Sequence, residues 1–510
     1  MKRGDPLNAY DYDCIIIGGG AAGLSAAFTT KGFGRKTALV EKNRIGGECT
    51  WMGCIPSKTL IKVAGEFNAV NNMGEFGIKT DELRIDTKSV MKHVRETIEL
   101  VYASETPEKL NEAGIDVLEG EAKFEDSHHL NIDGETVSFD KAIICTGTRP
   151  EIPSVGGLDE AGVLTNETIF ELEELPRSIA IIGAGAIAIE MAQALSRLGI
   201  RVTIIQRSGR ILKKEEPELS EILMRRLETE GVRFVLNAEI TSVSEKLGHK
   251  VLSIRIPEGE ETFETEAILV ATGRFVDLKK LNPEKAGVVY DGKGIKVNEQ
   301  MQTSVSGIYA AGDVTGPWRF SHMAYYQGIT AGRNASIPIK KKMDYSTVGW
   351  CLFTDPELAH LGLTEEEAQA KCGKKGCRVF VEKYDNLDRA ITDHTKQGLV
   401  KVITDKRGKI LGAHILGSRA GEIMHELSVL KGLDQPFYKL NDIIHVYPTY
   451  SDILRKLAQK AYIEKLSEQP IIKGMRKAAS GNKKAISSDE MVVAKPIHNK
   501  KNPRKGKEHD

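Results

Sequence analysis

Apolar residues come in short unbroken blocks along the first two-thirds of the chain, and an amphipathic stretch separates one block from the next. Cys14-Ile-Ile-Ile17 and Thr37-Ala-Leu-Val-Glu41 read as strands buried on both faces, with a helix over 21–30 between them. The order recurs at Ser178-Ile-Ala-Ile-Ile182 and Arg201-Val-Thr-Ile-Ile-Gln206. Each unit is followed by a strand closing on glycine, Lys141-Ala-Ile-Ile-Cys-Thr-Gly147 and Ala267-Ile-Leu-Val-Ala-Thr-Gly273. Ser306-Gly-Ile-Tyr-Ala-Ala-Gly-Asp313 is a further strand, and it ends in an acid. From about Val348 the pattern changes to alternating strands, Gly398-Leu-Val-Lys-Val-Ile-Thr404 and Ile410-Leu-Gly-Ala-His-Ile-Leu416, followed by an amphipathic helix over 420–430. The pattern predicts two α/β units and a third, α+β unit.

The turns between strand and helix carry the first chemical information. Gly18-Gly-Gly-Ala-Ala-Gly23 and Gly183-Ala-Gly-Ala-Ile-Ala188 both fit a dinucleotide fingerprint, in which glycine lets the backbone approach a pyrophosphate at a helix N-terminus. Glu41 ends its strand 23 residues after Gly18, where an acid can accept hydrogen bonds from a ribose, and Gln206 lies 23 residues after Gly183. Both pairs are offset by 165 positions, so two nucleotide modules are expected.

Between them lies Gly46-Gly-Glu-Cys-Thr-Trp-Met-Gly-Cys-Ile-Pro-Ser-Lys58. Cys49 and Cys54 suit a redox pair at the opening of a helix, where the helix dipole and Lys58 lower a thiol pKa toward the exchanging thiolate. Cys372 and Cys377 repeat the spacing, but Lys371-Cys-Gly-Lys-Lys-Gly-Cys-Arg378 reads as a surface connection between helix and strand.

Composition narrows the class. The 510 residues hold seven cysteines, too sparse and odd a set for a disulfide scaffold. No apolar run reaches the roughly 20 residues of a membrane span, and the first residues lack a secretory core, so a cytoplasmic protein is expected. Formal charge balances at 71 against 71, yet residues 473–510 hold 11 Lys/Arg and 4 Asp/Glu. A basic tail over 471–510 without periodicity is read as disordered and solvated rather than as a nucleic-acid contact.

Together the two glycine turns, the cysteine pair with Pro-Ser-Lys, Ala311-Gly-Asp313 and a late His445-Val-Tyr-Pro-Thr449 resemble the flavin-dependent pyridine nucleotide-disulfide oxidoreductases over roughly 10–470. The resemblance implies two Rossmann-like dinucleotide-binding domains plus an α+β dimerisation domain. FAD would take 1–155 and 276–345, NAD(P)H 156–275, and the interface domain 346–470. It implies a homodimer whose active site is completed by the partner chain. Gly18, Gly20, Gly23, Glu41, Lys58, Gly120, Thr146, Gly147 and Asp313 fall on FAD positions. Gly183, Gly185, Gln206, Arg207, Arg210 and Gly273 fall on the nicotinamide-nucleotide side. Cys54 would face the flavin, Cys49 would exchange with the acceptor, and Glu190 would pair with Lys58. NADPH is favoured over NADH, because Gln206 replaces an acid and Arg207 and Arg210 can meet a 2′-phosphate.

The late motif departs from the disulfide-reducing members, which place histidine before the proline and glutamate five residues later. Tyr447 and Asp452 stand there instead. Tyrosine, with a pKa near 10, is a poor base at neutral pH, so lipoamide oxidation is disfavoured unless His445 substitutes. Mercuric reductases resemble this chain in carrying that tyrosine, but they end in a cysteine pair, and this chain has no cysteine after Cys377. The resemblance implies a small-molecule or metal-ion acceptor of thiophilic character, with a disulfide reductase or a redox-sensing flavoprotein as alternatives.

Overall fold

The computed structural model describes residues 10–79 and 83–479, and the chain divides into two compact units after His360. The first unit contains both nucleotide modules. Tyr12–Ile17 pairs in parallel with Thr37–Glu41 on one side and Glu135–Ile144 on the other; Ile115–Glu119 and Ile308–Ala310 extend the sheet outward. Ile308–Ala310 returns from beyond the second module to pair with Ala142–Ile144. The unbroken apolar runs have a simple cause. Ile15 and Ile17 face one core and Cys14 and Ile16 another, so the sheet is covered on both sides.

The second module repeats the order. Arg233–Leu236, Arg201–Gln206, Ser178–Ile182 and Ala267–Val270 form a parallel sheet, with helix Ala186–Arg197 following its first glycine turn. Three antiparallel strands within Glu239–Thr265 were not anticipated by the strand–helix reading.

The repeat extends to the backbone. Gly18 has φ +104° and Gly183 φ +106°, and a Cβ on either would lie 2.5 Å from a carbonyl oxygen, of Cys145 and Ala271 respectively. Only glycine fits both turns. At the third fingerprint position the modules differ. A Cβ at Gly23 would sit 1.8 Å from the Gly18 carbonyl oxygen, whereas the second module accommodates Ala188 fully buried.

The second unit contains antiparallel strands Cys377–Lys383, Leu399–Asp405 and Ile410–Gly417, with helices Ala420–Gly432 and Asp452–Ser467. Residues 471–479, expected to belong to an irregular tail, lie in the helix Pro470–Ala479. Ile471, Ile472 and Met475 give it one apolar side, a period too short to stand out beside its charges. The rest of the basic tail and the first nine residues lie outside the described residues.

Candidate active site

Two helices carry the cysteines. Cys49 sits on Gly47–Trp51, while Cys54 is the first residue of the 18-residue helix Cys54–Asn71. Both cysteines thus lie in the first turn of a helix, but of two different helices. The Cys49 helix docks onto the first fingerprint: the Gly46 amide donates to the Gly19 carbonyl at 2.9 Å. Trp51 is fixed by an indole hydrogen bond to the Ile45 carbonyl at 2.8 Å and by the Arg44 guanidinium over its ring.

Both thiols are free in this structure. Cys54 is pulled below the ordinary thiol range, first by the hydrogen bond from Cys49, then by Ser321 and the Lys58 charge, against the penalty of burial. Cys49 is pushed up by the same shared hydrogen bond and by burial. The pair thus ionises first at Cys54. Ser321, 3.2 Å from the Cys54 sulfur, begins helix Ser321–Ser336, which packs along Ala21–Gly32 behind the first turn. Sequence reasoning missed it, since 267 positions separate the two residues.

Lys58 lies one helical turn from Cys54, and its ammonium pairs with Glu190 at 2.7 Å. The other Glu190 oxygen accepts the Phe353 amide at 2.8 Å, and the Phe353 ring lies under the Lys58 ammonium. Glu190 is buried on helix Ala186–Arg197, so the pair joins the cysteine helix to the second module.

The first module fits an adenine dinucleotide. One Glu41 oxygen accepts the Gly19 amide at 2.7 Å and the other the Asn43 amide at 2.8 Å, placing the acid at the glycine turn. Gly20 begins helix Ala21–Gly32 with no side-chain cap, leaving its first amides open to a phosphate. Gly120 and Gly147 both have positive φ, and Thr146 lies between Cys145 and Gly147 at the end of the central strand. Asp313 is raised by burial, with Arg274 lowering it in part, and accepts from the Thr148 hydroxyl at 3.1 Å.

On the second module, Gly185 begins its helix and Gly273 follows strand Ala267–Val270. Gln206 donates to the Ser208 hydroxyl at 2.7 Å, and Arg207 is exposed. Arg210 departs from expectation: its guanidinium donates to the carbonyls of Lys213 and Glu215 at 2.5 and 3.4 Å, which folds it onto its own loop. One arginine rather than two therefore points outward there.

Within the second unit, Tyr447 is 66% exposed and its hydroxyl donates to Asp388 at 2.9 Å. That bond raises its pKa further, and Asp452 adds a smaller repulsion. The expected orienting acid, Asp452, is buried and bonded to Arg455 at 2.5 Å. Asp388 takes its place. His445 is engaged with partners other than those of Tyr447. Its ring bonds the Ile443 carbonyl at 3.0 Å and Glu426 at 3.2 Å, and its side chain is 5% exposed. Cys372 and Cys377 close a helix and open a strand at the surface.

Comparison with known proteins decides the family. The profile described as pyridine nucleotide-disulphide oxidoreductase matches residues 12–328, and that family's dimerisation domain matches 348–458. The chain belongs to the pyridine nucleotide-disulphide oxidoreductase family. It is 33% identical to a mercuric reductase of Staphylococcus aureus over 88% of this chain and 82% of that one. It is 31% identical to the dihydrolipoyl dehydrogenase of Bacillus subtilis over 89% of this chain and 98% of that one. Among solved structures, a Cu(II) complex of a cysteine-to-serine variant of the HOCl-induced flavoprotein disulfide reductase RclA from Escherichia coli superposes with a TM-score of 0.79. It is 25% identical, covering 88% of this chain and 99% of that one. The protein is thus an oxidoreductase of a family whose members use FAD and a pyridine nucleotide, with two nucleotide modules and a dimerisation domain. No helix among the described residues is long and apolar enough to cross a membrane.

Proposed function

We propose that the protein is a homodimeric, FAD-dependent NADPH oxidoreductase of the cytoplasm that passes electrons through Cys49 and Cys54 to a thiophilic acceptor, mercuric ion or a related electrophile. The carrying observation is the placement of Cys54 at the opening of its helix, 3.2 Å from Ser321 and one turn from the Lys58–Glu190 bridge. FAD, held by the first module, would supply the two-electron relay between nicotinamide and the Cys49–Cys54 disulfide. Reduction breaks that S–S bond with two electrons; one proton stays between the sulfurs and the negative charge rests first on Cys54. Cys49 is then the thiol that meets the acceptor, at a site completed by a second copy of the chain.

The acceptor reading is supported by Tyr447. An exposed phenol tied to Asp388, with its pKa raised, does not shuttle protons at neutral pH, whereas reduction of a thiophilic ion needs no such shuttle. NADPH is supported by neutral Gln206 and outward Arg207, without Arg210. The test is the ratio of kcat/KM for NADPH and NADH. A ratio well above one that falls about tenfold in Arg207→Ala fits loss of a phosphate contact worth about 1.4 kcal/mol; equal use of both cofactors refutes the preference.

The other reading, a dihydrolipoamide-type disulfide reductase, draws on the His445–Glu426 pair, the one histidine–acid couple near the late motif among the described residues. Its burial counts against it. A redox sensor would show turnover far below the roughly 1–1000 per second of ordinary enzymes with every acceptor.

A further inference from the structure

Glu48 precedes Cys49 on the five-residue helix Gly47–Trp51, a segment too short to hold its own position. The carboxylate supplies an anchor. One oxygen accepts from the Asn166 amide at 3.0 Å, and the other pairs with the Arg274 guanidinium. Arg274 in turn donates to the Thr148 hydroxyl at 2.7 Å, the Thr148 carbonyl at 3.0 Å and the Asn166 side-chain oxygen at 3.3 Å. Thr148 holds Asp313. A single carboxylate thus ties the Cys49 helix to the end of the first sheet's central strand, the crossover into the second module and the end of strand Ala267–Val270.

Two carboxylates, Glu48 and Asp313, face the largely buried Arg274 guanidinium, and Arg319 adds a second positive charge beside Asp313. Burial pushes Glu48 up to about 7; Arg274 opposes this, while Asp313, Glu167 and Cys54 each push it further up. Arg319 donates to the Arg274 carbonyl and lowers the neighbouring Asp313. By reciprocity, a Glu48 carboxylate disfavours the Cys54 thiolate.

We propose that Glu48 is a positioning residue for the Cys49/Cys54 pair: it anchors the helix carrying Cys49 through Arg274 and Asn166 and so sets how accessible the Cys49 thiol is. The proposal rests on the redox role assigned to the pair above. Cys54 ionises before Glu48 and its thiolate helps to hold the Glu48 proton, so the carboxyl exchanges that proton near neutral pH beside an existing thiolate, and thiol reactivity acquires a second, shallower step near the Glu48 titration.

The test uses FAD-loaded protein reduced with a phosphine, so that no acceptor or nicotinamide is needed. The rate of iodoacetamide modification at Cys49 and Cys54 is followed by mass spectrometry from pH 5 to 9. In Glu48→Gln the step near pH 7 disappears, and Cys49 reacts severalfold faster at pH 7 because the Arg274 ion pair that holds its helix is gone. Glu48→Asp keeps the charge on a shorter arm, so the step returns while Cys49 reacts more readily than in the parent because its helix is looser. Profiles of both variants superimposable on the parent's overturn the proposal. Failure of the functional reading shows separately, as no thiols formed when NADPH replaces the phosphine in the parent protein.

Discussion

The Lys58 ammonium and the Glu190 carboxylate meet at 2.7 Å across 132 positions of sequence, linking the helix that begins at Cys54 to the first helix of the second module. Glu190 is nearly dry, whereas Lys58 is about one-third exposed at 34%. The bridge is thus a buried acid covered by a partly solvated cation.

Removing that cation leaves the acid uncompensated. Lys58→Ala is expected to cost about 1–2 kcal/mol, less than the roughly 3–5 kcal/mol of a fully buried pair because water can reach the vacated side. It also removes a charge that favours the Cys54 thiolate, so the Cys54 alkylation midpoint rises. Thermal unfolding and pH-resolved alkylation check both. An unchanged midpoint would mean that Ser321 and Cys49 alone set the ionisation.

The third fingerprint position offers a matched pair of substitutions. Gly23→Ala forces a Cβ against the Gly18 carbonyl and should abolish retention of FAD through gel filtration. The reciprocal Ala188→Gly needs no rearrangement and costs about 1 kcal/mol of helix propensity. Flavin absorbance per chain distinguishes them; equal retention in both would place the cofactor elsewhere.

The parallel strands, the glycine turns and the Cys54–Lys58 spacing were legible because each is set by neighbours within one helical turn or one strand. Gln206 and Glu41 were legible through the 165-residue repeat. Contacts made only in three dimensions were not. Ser321 meets Cys54, and Arg274 meets Glu48, from elements that no local pattern connects to the cysteine segment. The same limit explains Arg210, whose fate depends on the fold of its own loop, and the exchange of Asp452 for Asp388 behind Tyr447. A five-residue spacing suggested the acid that helix Asp452–Ser467 instead buries.

That exchange carries its own test. Asp388→Ala frees the Tyr447 hydroxyl and lowers its pKa toward 10, because the carboxylate that disfavours the phenolate is gone. Asp452→Asn should have a much smaller effect on the same titration, followed by ultraviolet difference absorbance. Tyr447→His should raise lipoamide turnover by about 10-fold or more, since general acid–base help contributes roughly 10²–10⁴-fold when well placed. No gain in a folded, FAD-loaded variant would mean that the missing base does not limit that reaction.

The most direct measurement is NADPH oxidation by the FAD-loaded protein with Hg(II) in excess thiol, beside lipoamide under the same conditions and with Cys49→Ala as control. The account predicts rapid oxidation with mercury, lost in Cys49→Ala, and little with lipoamide. Rapid Cys49-dependent turnover of lipoamide without response to mercury would contradict it and place the protein with the disulfide reductases.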